Sequence, residues 1–205
     1  PLLEICRTML PSMSDTEREA LEAGNVWWEG ELFSGMPNWD KLITCPAPLL
    51  SEDEQAFLDG PCEELCAMLD DWEINHNLGD MPEHVWQFIK KRKFFAMIIP
   101  KKYGGLEFSP YANAMVIMKL ASRSATASST IGVANSLGPA ELLLNYGTEK
   151  QKQHYLPGLA TADEIPCFAL TSPEAGSDAA ALIDSGVICK GQWEGKQITG
   201  IRLNW

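Results

Sequence analysis

The chain has 205 residues, 45% of them hydrophobic, which is enough for a substantial core in one large domain or two small ones. Its 28 acidic and 16 basic residues give a net charge of −12. That balance argues against a nucleic-acid surface, because such surfaces need clustered lysine and arginine. No apolar run reaches the roughly 20 residues of a membrane-spanning helix, and no secretory signal pattern opens the chain.

The two ends of the sequence indicate that it is part of a longer chain. Because the sequence starts at Pro1 and stops at Trp205 in a polar-aromatic stretch, we expect both ends to be cut from a longer chain.

Cys62 and Cys66 fall on one face of a predicted helix, but the three histidines lack zinc spacing. We therefore predict no metal site, and buried, reduced cysteines in a reducing compartment.

Residues 1–50 are predicted to form an amino-terminal extension. Ser14, three residues before Glu17, reads as a capping box that opens a short helix. The adjacent Trp27 and Trp28 suggest an apolar surface that docks on another structure. The alternative, which we favour, is a strap folded back onto its own domain. Glycines and prolines make the rest of this region an irregular connection.

A helical domain is predicted from residue 51. Ser51 and the acids after it suit a helix amino terminus, and Pro61 predicts a kink or break. Pro82 is predicted to start another helix. Residues 95–100 are predicted to be extended, and residues 101–106 to form a turn that contains two conformationally permissive glycines.

The second half of this domain is also predicted to be helical. After it, the spacing of the apolar residues changes from a helical to a strand pattern. Ser109 and Thr148 are predicted helix caps. Helices are predicted over residues 111–128, 138–145 and 149–160. Strands are predicted over residues 167–171, 181–190 and 194–201. The fold class is therefore α+β, with an all-helical bundle domain over 51–163 and the beginning of a β-domain over 164–205.

The stretch Cys167–Asp178 has the chemistry of a ligand loop. Its apolar start has strand length, and small and hydrogen-bonding residues follow. Gly176 lets the backbone approach a ligand without a Cβ in the way, and Ser177 with the following amides can bind an anion. Such a loop suits a ligand with a flat apolar part and a phosphate part. An ordinary strand-to-turn connection is the alternative.

This stretch resembles the flavin-binding signature of acyl-CoA dehydrogenases, aromatic-x-x-Thr-Glu-Pro-x-Ala-Gly-Ser-Asp. The residues in register are Thr171, Pro173, Ala175, Gly176, Ser177 and Asp178. Ser172 stands where Glu is usual, which removes a charge close to the flavin edge, and Glu174 stands where Gly is common. The Pro100–Gly105 turn and residues 146–152 also resemble family patterns, in the same order. Residues 1–50 most resemble the large bacterial fatty-acid-degradation members.

The resemblance implies an amino-terminal helical bundle, a middle β-domain and a carboxy-terminal bundle, with FAD between the last two. The reaction it implies converts a fatty acyl-CoA to the trans-2-enoyl-CoA in β-oxidation. Residues expected to contact FAD are Phe168, Ala169, Leu170, Thr171, Gly176 and Ser177, and Ser177 is also expected to contact the substrate. The catalytic base of the family lies in the carboxy-terminal domain, so no catalytic residue is assigned within these 205 residues, which alone are expected to be inactive.

The resemblance also implies an electron-transferring flavoprotein as electron acceptor and a homo-oligomeric full-length protein. We expect a cytoplasmic location, with peripheral attachment to the inner membrane as a further option. Two alternatives stay open: a flavin-free helical interaction module of the same fold, and an acyl-CoA oxidase, which differs in where the electrons go.

Overall fold

The computed structural model describes residues 2–9, 15–24, 27–136, 138–167, 171–173, 175–176 and 182–204. The chain divides into two compact units, residues 1–48 and 49–205. The helices are α1 (Leu2–Met9), α2 (Asp15–Ala23), α3 (Trp39–Ile43), α4 (Glu52–Asp59), α5 (Pro61–Met68), α6 (Glu83–Lys91), α7 (Pro110–Ala121), α8 (Ala125–Ser136), α9 (Pro139–Tyr146) and α10 (Glu149–Thr161). The strands are β1 (Ser185–Trp193) and β2 (Lys196–Asn204).

In the first unit, Trp28 makes contacts that hold its own segment together. Its ring is buried, its Nε1 donates to the Asn38 carbonyl at 2.7 Å, and it packs against Trp39 with ring centroids 5.0 Å apart. Trp27 is half exposed. The two tryptophans predicted from sequence to act together therefore have different environments: one holds this segment together and the other faces solvent. Ser14, half of the predicted capping box, lies outside the described residues.

In the second unit, α4 begins at a capping box. The Ser51 hydroxyl accepts from the Glu54 N–H, and the Glu54 carboxylate accepts from the Ser51 N–H at 2.8 Å. Pro61 ends this helix and starts α5, since proline is tolerated at the first helical position but not in an interior turn. The break expected at Pro61 is confirmed.

The main core lies between α4–α8 and the segment that follows α6. Fully buried side chains at its centre include Leu65, Ile89, Phe94, Leu120 and Ile131. Asn135 is a buried polar residue that fastens α8 to the segment after α6. Its Nδ2 donates to the Phe94 carbonyl at 2.7 Å, and its Oδ1 accepts from the Ile98 N–H at 3.3 Å.

Two predictions for this domain were wrong in detail. The single helix expected over residues 111–128 is a helical hairpin, because the chain turns at Ser122–Ser124 and returns as α8. Residues 95–100 are not a simple extended segment, since Phe94–Ala96 form a 3₁₀ turn. Main-chain bonds from residues 106–108 back to 96–99 hold that segment instead.

Gly105 is required by close packing in the turn after Pro100. A Cβ built at this position would lie 1.9 Å from the Ile99 carbonyl oxygen. Its neighbour Gly104 has φ of 91°, a backbone conformation that glycine adopts without steric cost. The two glycines identified from sequence thus have distinct roles, one conformational and one steric.

The carboxy-terminal part of the described chain is an antiparallel hairpin of β1 and β2, in which Ser185 pairs with Asn204 and Trp193 with Lys196. The predicted strands over 181–190 and 194–201 therefore exist but lie two to four residues later. Apolar side chains on both faces are exposed, including Val187, Ile188 and Ile201.

The cysteines are less buried than expected. Cys62 is buried, and burial raises the pKa of its thiol to about 12. Cys66 and Cys189 are half-buried, whereas Cys6, Cys45 and Cys167 are exposed. Within the described residues, no helix is both long and apolar enough to cross a membrane, and no three potential ligands form a metal cluster.

Candidate functional site

The described part of the proposed ligand loop comprises residues 171–173 and 175–176, and two main-chain hydrogen bonds connect its two pieces. The Ser172 N–H donates to the Ala175 carbonyl at 3.0 Å, and the Ala175 N–H donates back to the Ser172 carbonyl at 3.3 Å. These bonds direct the buried Ala175 side chain inward and leave Thr171 and Gly176 exposed.

The exposed positions are the ones a ligand could reach. A Cβ built on Gly176 would meet no atom of the described residues within 4 Å, so none of them blocks the main chain there. Ser172 differs: its Oγ is enclosed and has no hydrogen-bond partner among the described residues. An enclosed hydroxyl does not face an open site, so among the described residues of the loop Thr171 and the backbone at Gly176 are the groups exposed to a ligand.

Four of the six predicted cofactor residues lie outside the described residues: Phe168, Ala169, Leu170 and Ser177. The same is true of Glu174 and Asp178, to which no catalytic role was assigned. Thr171 and Gly176 are on the same short turn, which is the only juxtaposition of predicted site residues that the described part of the chain contains.

An apolar groove lies immediately before this loop in the chain. Its volume is about 380 Å³. It is lined by Pro139, Leu143, Tyr155, Leu159, Ile165 and Pro166. Of the described lining residues, only Glu164 carries a charge at neutral pH. Sequence reasoning did not identify this groove, because its residues come from α9, α10 and the segment after α10, and only packing brings them together.

Hydrogen bonds at both ends of α10 position this groove. At its start, Thr148 and Gln151 form a reciprocal capping box, and the Tyr103 hydroxyl donates to Glu149 at 3.2 Å. At its end, the N–H groups of residues 163 and 164 donate to the Gly158 carbonyl at 3.1 and 3.2 Å. These bonds turn the chain so that Ile165 lines the groove together with residues of α10.

The fold of this chain is acyl-CoA dehydrogenase-like, as its similarity to two solved structures shows. Butyryl-CoA dehydrogenase from Megasphaera elsdenii matches with a TM-score of 0.57 and 19% identity over 73% of this chain and 39% of its own, which shows the fold alone. A glutaryl-coenzyme A dehydrogenase in complex with glutaryl-CoA matches with a TM-score of 0.57 and 25% identity, covering 69% of this chain and 36% of its own.

Sequence similarity shows the family of this chain. The family described as acyl-CoA dehydrogenase, N-terminal domain, matches residues 51–163, more than half of the chain. The chain belongs to the acyl-CoA dehydrogenase family.

Curated relatives are considerably longer than this chain. Human mitochondrial very long-chain specific acyl-CoA dehydrogenase is 28% identical over 86% of this chain and 27% of its own length. A probable acyl-CoA dehydrogenase of Bacillus subtilis is 32% identical over 62% of this chain and 20% of its own. The 205 residues therefore span about a quarter of these relatives or less, and the activity of a whole protein is a matter for proposal.

Proposed function

We propose that this chain is the amino-terminal part of an FAD-dependent acyl-CoA dehydrogenase that oxidises fatty acyl-CoA to trans-2-enoyl-CoA in β-oxidation. The observation that carries the proposal is the open turn at Thr171 and Gly176, which follows a helical domain of this family in the family's order. The similarity to the human very long-chain specific acyl-CoA dehydrogenase supports long acyl chains as substrates.

The described residues fit an FAD group. Thr171 is exposed and carries a hydroxyl that can hydrogen-bond to the polar edge of a flavin, and the space at Gly176 lets main chain approach a phosphate. Ser177 would add a hydroxyl at the pyrophosphate and meet the substrate, while Phe168, Ala169 and Leu170 would line the ring. When bound, FAD accepts the electrons that are removed from the substrate. The residues of this chain bind and orient it, and the base comes from elsewhere in the full-length protein.

The remaining assignments are proposals of the same kind. We assign residues 1–50 to an extension, 51–163 to the helical bundle and 164–205 to the start of the β-domain. The proposed acceptor of the electrons is an electron-transferring flavoprotein, and the proposed state of the full-length protein is a homo-oligomer. The proposed location is the cytoplasm, with peripheral contact to the inner membrane.

Flavin reduction by substrate tests the function directly. The full-length protein, reconstituted with FAD and mixed without oxygen with hexadecanoyl-CoA, is expected to lose the absorbance of oxidised flavin. Thr171→Ala should weaken FAD binding or slow reduction by about two- to twelvefold, since one neutral hydrogen bond is worth about 0.5–1.5 kcal/mol.

Other outcomes would favour the alternatives. A full-length protein that binds no FAD would support the flavin-free interaction module. Reduction by substrate followed by rapid reoxidation in air, with no need for a protein acceptor, would support an oxidase. Wild-type flavin affinity and reduction rate in Thr171→Ala would remove that residue from the site.

A further inference from the structure

Helix α6 has one solvent-facing polar stripe whose charges are ordered along the helix. Glu83, Gln87 and Lys91 are exposed, and because they are spaced by four residues they share one face of the helix. The opposite face is buried through Val85 and Ile89. From its start to its end, the stripe therefore carries an acid, an amide and a base over about 12 Å, at 1.5 Å per residue.

Both end charges of the stripe can interact with a second molecule. Within the described part of the chain, neither Glu83 nor Lys91 is in an ion pair. The Gln87 amide donates to Glu83 Oε1 at 2.6 Å, but a carboxylate can accept several further hydrogen bonds. The next cation is already engaged, because Arg92 pairs with Glu64 of α5 at 3.0 Å. Lys91 is thus the positive end of the stripe.

A stripe of acid, amide and base is complementary to itself when two copies lie antiparallel. If a two-fold axis passes beside Gln87, Glu83 of each copy faces Lys91 of the other, since both residues are four positions from the axis. Gln87 then faces the same residue of the other copy. A two-fold interface makes each contact twice, so the pairing creates two opposite-charge pairs. Antiparallel helices also place opposite ends of their dipoles side by side.

We propose that α6 pairs in this antiparallel way with α6 of a second copy of this chain, centred on Gln87. The proposal goes beyond the homo-oligomer named above, because it assigns a surface and an orientation, and it depends on neither flavin nor substrate. Exposed ion pairs are weak, and a helix of nine residues is too small to supply the roughly 1,200 Å² of a stable interface. The contact therefore orients two copies within a larger interface.

A cysteine at the axis tests the pairing in the full-length protein. Helices about 8–10 Å apart bring residues that face each other within the range of a disulfide. With diamide, which accepts the two electrons and two protons of the thiols, Gln87→Cys should form a disulfide between copies. It should do so at least about tenfold faster than the matched control Gln55→Cys, an exposed glutamine on α4, because aligned thiols react at a raised effective concentration. Wild type measures the background from the exposed native cysteines.

Charge reversals in the Gln87→Cys protein identify the contacts. Glu83→Lys and Lys91→Glu each convert both opposite-charge pairs into like-charge pairs, so each should slow crosslinking at least about tenfold. The two reversals in one chain recreate the opposite-charge pairs and should restore the rate. Lys150→Glu, an exposed reversal on α10, should leave the rate unchanged.

The reversals also place charges unfavourably in the dipole of α6, so thermal unfolding is measured beside crosslinking. Should a reversal unfold the helix, Glu83→Gln and Lys91→Gln serve as second variants. They remove the ion pairs without adding repulsion, and each should slow crosslinking at least about twofold.

The outcomes separate this inference from the proposed function. Crosslinking of Gln87→Cys no faster than that of Gln55→Cys would overturn the pairing, as would a double reversal that stays as slow as the single ones. Charge effects without crosslinking at residue 87 would assign the stripe to a different partner and overturn the second copy as its occupant. The expected crosslinking pattern in a protein that shows no flavin reduction would refute the dehydrogenase activity and leave the pairing of α6 standing.

Discussion

At the scale of single residues, Glu54 connects two helix amino termini. Its carboxylate accepts from the Ser51 N–H at 2.8 Å and, across 55 residues of sequence, from the Ser109 N–H at 2.6 Å. Its desolvation raises the pKa, but the bonds from Ser109 and Ser51 outweigh that effect and the net pKa lies below the ordinary value. The capping box was predictable because it is local. The bond to Ser109 depends on how α4 meets α7, which no local pattern specifies.

Glu54→Gln should lower the free energy of unfolding at pH 7 by about 1.5–3 kcal/mol, the worth of a hydrogen bond to a charged group. A carboxyl group whose pKa is lower in the folded state than in the unfolded state stabilises the folded protein at pH values above its unfolded-state pKa, near 4.3. This stabilisation is lost as the pH falls through the folded-state pKa. Urea unfolding should therefore show a difference from wild type that shrinks toward pH 3.

The control for this prediction is Glu52→Gln, an exposed acid in the first turn of the same helix. It changes only the interaction with the helix dipole, worth about 0.3–1 kcal/mol. Equal destabilisation by the two substitutions, or a Glu54→Gln effect that does not change with pH, would refute the role assigned to Glu54.

At the scale of elements, the helix starts and the break at Pro61 could be predicted, but the turn between α7 and α8 could not. Ser51, Ser109 and Thr148 all cap helices as expected, since a cap needs only a side chain and the next three residues. The turn between α7 and α8 was missed because small helix-compatible residues run through it. Tertiary contacts define it, such as the bond from Arg123 Nε to the Cys66 carbonyl at 3.2 Å. The groove was missed for the same reason.

Two glycine substitutions should have opposite effects on stability. Gly105→Ala places a methyl group against the Ile99 carbonyl and should cost on the order of 3 kcal/mol. Gly132→Ala, inside α8, meets Ile117 at an ordinary 3.7 Å and no other described residue within 4 Å, and should stabilise by about 0.5–1 kcal/mol. Thermal unfolding of the two variants measures both, and a Gly105→Ala protein as stable as wild type would contradict the packing described here.

At the scale of the whole molecule, the second unit combines a well-packed helical domain with a hairpin that has little cover. Phe94, Leu120 and Ile131 are fully buried, whereas Ile188 and Trp193 are 74% and 67% exposed. Two-stranded hairpins alone are marginally stable in water. Sequence periodicity predicted both the helical and the β part, because each has its own repeat, but it carried no information on how much of the hairpin is covered.

Hydrogen exchange on the 205-residue chain should reveal this difference. Main-chain amides of α7 and α8 should be protected to nearly the global stability, while those of β1 and β2 should exchange through local opening at a much lower free energy. The comparison is internal to one sample, so α7 and α8 serve as the reference. Equal protection of the hairpin and the helices would contradict the account of the hairpin.

The central claim is that the stretch from Thr171 through Ser177 binds the pyrophosphate-bearing cofactor FAD. Titration of the apo full-length protein with FAD tests it most directly, with Ser177→Ala, Ser177→Asp and, as a charge control at an exposed position, Ser185→Asp. Wild type and Ser185→Asp should bind equally, and Ser177→Ala should bind about two- to twelvefold more weakly. Ser177→Asp should lose on the order of 1,000-fold, since like charges 4 Å apart repel by about 4 kcal/mol at an effective dielectric constant of 20. FAD binding by Ser177→Asp as tight as that of wild type would contradict the claim.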